Sequence, residues 1–170
     1  MTVLERGVTK RSVTEPPTNV PHGKPCAENE AIMAITQIWE RLYLGSLNDA
    51  TQLAAENPFG ITAVVSLCSH SVSRKAKGVS YTRIVVAESS PISARQFDAV
   101  MTAIAQSVRH GKLLIHCAGG VNRSPIMAAA WLRRCGCLNL VEALLAIRER
   151  RPIINPSPVL LRSVEAHLRR

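Results

Sequence analysis

Apolar positions change their spacing along the chain, and each change marks an element. Up to about residue 33 there is no apolar period, and "TEPPTNVPHGKP" is rich in Pro, Thr, Asn and Gly. That stretch reads as a flexible leader (1–33), with order beginning near Ala34. "ITQIWERLYLG" mixes β-branched and aromatic residues and stops at Gly45, which predicts a strand or hairpin. "NDATQLAAENPFG" predicts a short helix capped by Asn48 or Asp49 and ended by Asn57-Pro58. Ile61 to Cys68 and Tyr81 to Glu88 predict strands, joined by the polar "SHSVSRKAKG". After Ser93, a good N-cap, Phe97, Val100, Met101, Ile104 and Val108 recur at helical spacing until Gly111. "KLLIHC" is apolar throughout, as a central parallel strand is. Three helical segments close the chain: "RSPIMAAAWLRRCG" with Pro125 in its first turn, "LVEALLAIRERRP", and "SPVLLRSVEAHLRR". Strands and helices alternate first and helices then accumulate. The fold class is α/β, a central, mostly parallel sheet flanked by helices with a helical C-terminal half, in one domain over 34–170.

Composition narrows the setting. Of the 170 residues, 46% are hydrophobic, enough for a real core. No apolar run reaches the length of a membrane span, and the first residues lack a secretory apolar centre, which points to the cytoplasm. Cys26, Cys68, Cys117, Cys135 and Cys137 form an odd set, which argues for reduced thiols over a disulfide framework. The net charge of +9 is uneven. From Arg123 to Arg170 there are nine arginines and three glutamates, with no lysine or aspartate. Such a surface suits anionic contacts, or is simply a solvated arginine-rich face. Aromatic residues are too few for a nucleic-acid stacking platform, so no nucleic-acid partner is expected.

The chemistry concentrates in "LLIHCAGGVNRSPIMAAAW". Ala118, Gly119, Gly120, Val121 and Asn122 form a small-residue loop at a helix N-terminus. There the backbone can curl its N–H groups inward, and the dipole adds positive charge. Such a nest binds a tetrahedral oxyanion, and Arg123 can close it with a planar fork. Cys117 sits at its base, where the same N–H groups stabilise a thiolate, a nucleophile aimed at phosphorus. The loop lacks the Gly-Lys-Ser/Thr of a nucleotide-binding loop.

"HCAGGVNRS" resembles the His-Cys-x5-Arg-Ser/Thr motif of the cysteine-based protein tyrosine phosphatases. "LYLGSLNDA", "GITAVVSLC" and "AIRERRPIINP" resemble segments of their dual-specificity branch, in the same order. The resemblance spans Ile38 to Asn155. It implies a cofactor-free and metal-free reaction through a phosphocysteine on Cys117, with Arg123 holding the phosphoryl oxygens and a phosphorylated protein as substrate. It further implies that Ser124 hydrogen-bonds the sulfur, and that His116 orders the loop and tunes the thiolate from behind.

Relatives place a general-acid aspartate after the strand matching "TRIVVAE". Here "ESSP" puts Ser89 in that position, and serine is far too weak an acid. Two readings stay open: the adjacent Glu88 is the acid, or the step runs without an efficient one. Asp98, on the next helix, should be too distant. By resemblance Asn155 supports the loop, and Arg148, Arg150 and Arg151 line the rim or are solvated charges. Cys68 ends a strand on the ligand side of the sheet, as Cys117 does. It is a candidate redox partner for Cys117, as in the tensin-related phosphoinositide phosphatases that "SLC" resembles, or a plain buried thiol. Phosphoinositide and RNA 5′-phosphate hydrolysis share this chemistry, but residues 118–122 carry no basic side chain for a highly charged head group. A module that binds phosphoprotein with little turnover is the alternative that the missing aspartate favours.

Overall fold

The computed structural model describes residues 35–136 and 138–170. The expected leader (1–33), Ala34, Cys26 and Cys137 lie outside the described residues. The elements are β1 (Thr36–Trp39), β2 (Leu42–Gly45), α1 (Leu47–Gln52), β3 (Ala63–Ser66), β4 (Ser80–Arg83), α2 (Ala94–His110), β5 (Leu113–His116), α3 (Arg123–Arg134), α4 (Leu140–Arg150) and α5 (Pro158–Leu168). The five strands form one sheet in the order β1-β2-β5-β3-β4. β1 and β2 are an antiparallel hairpin, and every other pairing is parallel.

β5 is central because its sequence tolerates burial on both faces. Leu113 and Ile115 join Val65, Leu44 and the apolar sides of α2 to α5. Leu114 points the other way and packs with Tyr43, Val64, Ala50 and Leu53. Four helices therefore cover one face of the sheet, while α1 and the chain after β3 cover the other. α3 is buried nearly all round, and its alanines at 128–130 let it sit close against its neighbours. No described helix is long and apolar enough to cross a membrane.

The expected element order holds, with local differences. α1 is capped by Ser46, whose side chain accepts from the Asp49 amide while the Asp49 carboxylate accepts from the Ser46 amide at 2.7 Å. Asp49 thus occupies the third position of a capping box and is not the cap, and the helix ends at Gln52, before Asn57-Pro58. β3 and β4 are four residues each and shorter than their apolar runs. Past Ser66 and Arg83 the two segments keep single hydrogen bonds, Ile84 N–H to Ser66 and Val86 N–H to Leu67, without a continuous ladder. That releases the residues after Arg83 from strand geometry at the edge where Glu88 lies.

Candidate active site

Register brings the expected residues together. Gly45, Ser66 and His116 end three adjacent parallel strands side by side. Cys117 follows β5 at once, and α3 begins at Arg123. The intervening loop is fixed by three of its carbonyls, each bonded outward. Ala118 accepts from the Leu47 amide (3.0 Å) and Val121 from the Asn155 amide (2.7 Å). Gly120 accepts from Arg151 Nε at 2.9 Å. With the carbonyls turned out, the amides of 118–121 donate no main-chain hydrogen bond among the described residues. Amides left free in this way have the donor capacity of a nest suited to an oxyanion.

Cys117 is buried at the base, 1% exposed. Burial pushes its thiol up. The Ser124 hydroxyl at 3.4 Å, the Ser124 and Asn122 amides and the Arg123 charge outweigh that, leaving the thiol below its ordinary range. Arg123 is also buried. Its Nη1 donates to the Val86 carbonyl (3.3 Å), its Nη2 lies 3.6 Å from Glu88 Oε2, and its Nε has no partner among the described residues. The guanidinium is therefore anchored on one side and has donor capacity left.

His116 lies behind the loop, fully buried. Its Nδ1 lies 3.1 Å from the Cys117 carbonyl and its Nε2 2.6 Å from Ser66 Oγ. A carbonyl only accepts, so Nδ1 carries the proton and the Ser66 hydroxyl donates to Nε2. Burial pushes the imidazole below its ordinary value, consistent with this neutral form. His116 bridges β3 to the peptide of the nucleophile.

The structure corrects one rim assignment. Arg151 is 3% exposed and lies behind the loop, away from any rim: Nε holds Gly120 and Nη1 donates to Thr36 Oγ1 at 2.9 Å. Burial lowers its pKa, partly offset by Asp49 and Cys117. Arg148 and Arg150 are exposed and reach the carbonyls of Ile154 and Gln37 at 3.5 Å. Asn155 supports the loop through its main-chain amide. Asn122 does more than the sequence indicated. Its Oδ1 accepts from the Ser157 amide (2.8 Å) and its Nδ2 reaches the Glu88 carbonyl (3.4 Å), tying two neighbouring segments to the loop.

Glu88 points at the site through Arg123, with its side chain 56% exposed. Ser89 is exposed, and Asp98 faces Arg134 at 3.7 Å. Cys68 is buried, with its Sγ 3.6 Å from the His70 carbonyl. Burial raises its pKa, Arg123 lowers it, and the neighbouring Cys117 raises it further, so both site residues act on Cys68 electrostatically.

The comparisons with known proteins agree with this geometry. Dual specificity protein phosphatase 14 of Mus musculus is 32% identical over 128 residues, covering 74% of this chain and 65% of that protein. The Homo sapiens protein of the same name is 32% identical over 129 residues, with the same coverage. The match thus spans just under two thirds of these relatives' length. The crystal structure of DUSP15 superposes with a TM-score of 0.70 at 27% identity, covering 79% of this chain and 87% of that one. The family described as "Dual specificity phosphatase, catalytic domain" matches residues 42–170, from the first residue of β2 to the last of the chain. The chain therefore belongs to the dual-specificity phosphatase family.

Proposed function

We propose that the chain is a cysteine-dependent protein phosphatase that hydrolyses phosphotyrosine, phosphoserine or phosphothreonine monoesters. The observation that carries this is Cys117, its thiol pushed below the ordinary range beneath a loop whose Ala118, Gly120 and Val121 carbonyls bond outward. In the first step the thiolate attacks phosphorus. An S–P bond forms, the P–O bond to the substrate breaks, and the departing oxygen takes a proton. Arg123 and the loop amides hold the three non-bridging phosphoryl oxygens. In the second step water attacks, the S–P bond breaks, inorganic phosphate leaves and the thiolate returns. The Ser124 hydroxyl, already aimed at Sγ, stabilises the sulfur as it departs. Arg151, Asn155 and His116 keep the loop in shape and touch no reacting atom.

Glu88 is the general acid in this reading, supported by its contact with Arg123. Cys68 is the proposed redox partner of Cys117, supported by the electrostatic effect of Cys117 on the Cys68 thiol and their places after adjacent strands. The catalytic domain is 34–170, with 1–33 as a leader outside it, and the setting is the reducing cytoplasm. The Arg-rich C-terminal half meets anionic partners through exposed arginines such as Arg133, Arg162 and Arg170, since Arg123 and Arg151 are buried inside it. A specific observation favours a second reading, a phosphoprotein-binding module of low turnover: serine stands at the usual acid position, and the only carboxylate in contact with Arg123 among the described residues is largely solvated. Turnover of p-nitrophenyl phosphate by the wild type, and its loss in Cys117→Ser with phosphate binding retained, tests the main reading. Activity in Cys117→Ser within about tenfold of wild type refutes the covalent mechanism.

A further inference from the structure

A cavity of about 270 Å³ lies against β3 and β4, bounded by Ser66, Ser71, Lys75, Tyr81 and Arg83. Its lining has two cations and several hydroxyls but no carboxylate. From Asn57 to Ala87 the chain has no Asp or Glu, although it carries His70, Arg74, Lys75, Lys77 and Arg83. Arg83 uses Nη1 for the Ser69 carbonyl (3.0 Å) and Ser71 Oγ (2.8 Å). Lys75 Nζ stands 5.4 Å from the centroid of the Tyr81 ring and makes no salt bridge among the described residues. Two positive groups converge on a hydroxyl-lined space without a counter-charge, which suits a small oxyanion.

The innermost wall of that cavity is Ser66, 5% exposed. Its hydroxyl has one proton, and that proton goes to His116 Nε2 at 2.6 Å. His116 in turn holds the carbonyl of Cys117. The ionised oxygens of phosphate or sulfate only accept, so they compete with His116 Nε2 for the Ser66 proton. When the anion wins, the imidazole loses the bond that fixes its ring against β3, and the nucleophile's peptide loses its brace.

We propose that this cavity is a second, regulatory oxyanion site for inorganic phosphate, the product that phosphoester hydrolysis releases, and that its occupation slows Cys117 through Ser66 and His116. The kinetic consequence rests on the phosphatase reading; the binding does not.

Sulfate, an unreactive mimic of phosphate, is the probe. In the catalytic loop it competes with substrate, raising KM and leaving kcat alone. At the second site it lowers kcat. With p-nitrophenyl phosphate, saturating sulfate should lower wild-type kcat about fivefold, the kinetic equivalent of one neutral hydrogen bond. Lys75→Glu, at an exposed position outside the loop, should keep sulfate-free kcat within about twofold, as surface changes do, and keep the rise in KM. It should lose the fall in kcat. Ser66→Ala should start with a reduced kcat that sulfate lowers no further. Purely competitive inhibition of the wild type, or an equal fall in kcat for Lys75→Glu, overturns the proposal. A second measurement works without turnover: nitrogen NMR of the His116 ring in Cys117→Ser. Sulfate should shift it in two phases, one of them absent once Lys75→Glu is added. A single phase in both proteins also overturns the proposal, whether or not the wild type proves to be a phosphatase.

Discussion

Replacing Gly120 and Gly119 separately with alanine tests whether the loop is held by backbone geometry, because the same change falls on adjacent residues in opposite circumstances. Gly120 has φ +68, and a Cβ there would lie 2.5 Å from the Gly45 carbonyl oxygen and 2.8 Å from Arg151 Nη2. Neither neighbour yields readily. Gly45 is locked beside His116 in the parallel ladder, and the Arg151 guanidinium is bonded to Gly120 and Thr36. Gly119 has no such constraint: the nearest atom to its Cβ would be a Val121 methyl at 3.7 Å. The left-handed conformation costs alanine about 1–2 kcal/mol and overpacking about 1–3 kcal/mol, so Gly120→Ala should lose about 2–5 kcal/mol of stability. In a domain of this size that is a fall in Tm of about 4–20 °C. The loop must also retreat by roughly 1 Å to restore ordinary contact, a misplacement that costs about a hundredfold in kcat/KM. Gly119→Ala should stay within about 0.5 kcal/mol and threefold of wild type. Calorimetry and p-nitrophenyl phosphate kinetics on both variants settle it. Equal damage in the two would refute the argument from strain and from the Gly45 approach.

Four further outcomes follow from the site. Ser124→Ala removes a donor to the thiolate and so raises the Cys117 pKa; the alkaline rise in iodoacetamide alkylation should move up by about one to two pH units, and no movement would show that the hydroxyl does not stabilise the sulfur. Ser89→Asp should raise kcat on phosphopeptides by about ten- to a hundredfold and change p-nitrophenyl phosphate turnover little, since nitrophenolate leaves without much help. Glu88→Gln should lower phosphopeptide turnover, and an unchanged rate would show that Glu88 is not the acid. Mild peroxide should inactivate the wild type reversibly with a Cys68–Cys117 cross-link in the peptide map, whereas Cys68→Ser should not recover with dithiothreitol; full recovery would reduce Cys68 to packing.

The site was readable from sequence wherever its parts lie close together in the chain. Cys117, the small loop and Arg123 occupy seven consecutive residues at a strand-to-helix junction, so local physics places them correctly before any tertiary contact is known. The sheet was readable for a related reason: β5 is apolar on both faces, and only a central strand can bury both. The supports of the loop were harder to see. Arg151 lies among Arg148, Glu149 and Arg150, where charge pattern predicts a solvated helix end. Only the fold shows that the chain turns at α4 and carries this one guanidinium beneath Gly120. Its signal was the need of a curled loop for outward carbonyl partners, which a sequence states without saying who meets it. Ser46 was missed as the α1 cap because the apolar pattern begins one residue later than the hydrogen bonding.

The acid is the part that neither sequence pattern nor fold dictates on its own, and the reason is structural. Regular strand geometry ends at Arg83, and after that the chain keeps only two single hydrogen bonds to its neighbour. A residue in a ladder has its direction fixed by alternation, so a one-residue shift from 89 to 88 would turn a carboxylate away from the site. A residue beyond the ladder is under no such rule. Here Glu88 is aimed instead by two contacts from the catalytic segment itself: its carboxylate approaches Arg123, and its carbonyl receives the Asn122 amide. Both anchors belong to the segment that opens α3. Release from strand geometry therefore lets Glu88 face Arg123, the residue that the proposed mechanism sets on the phosphoryl oxygens.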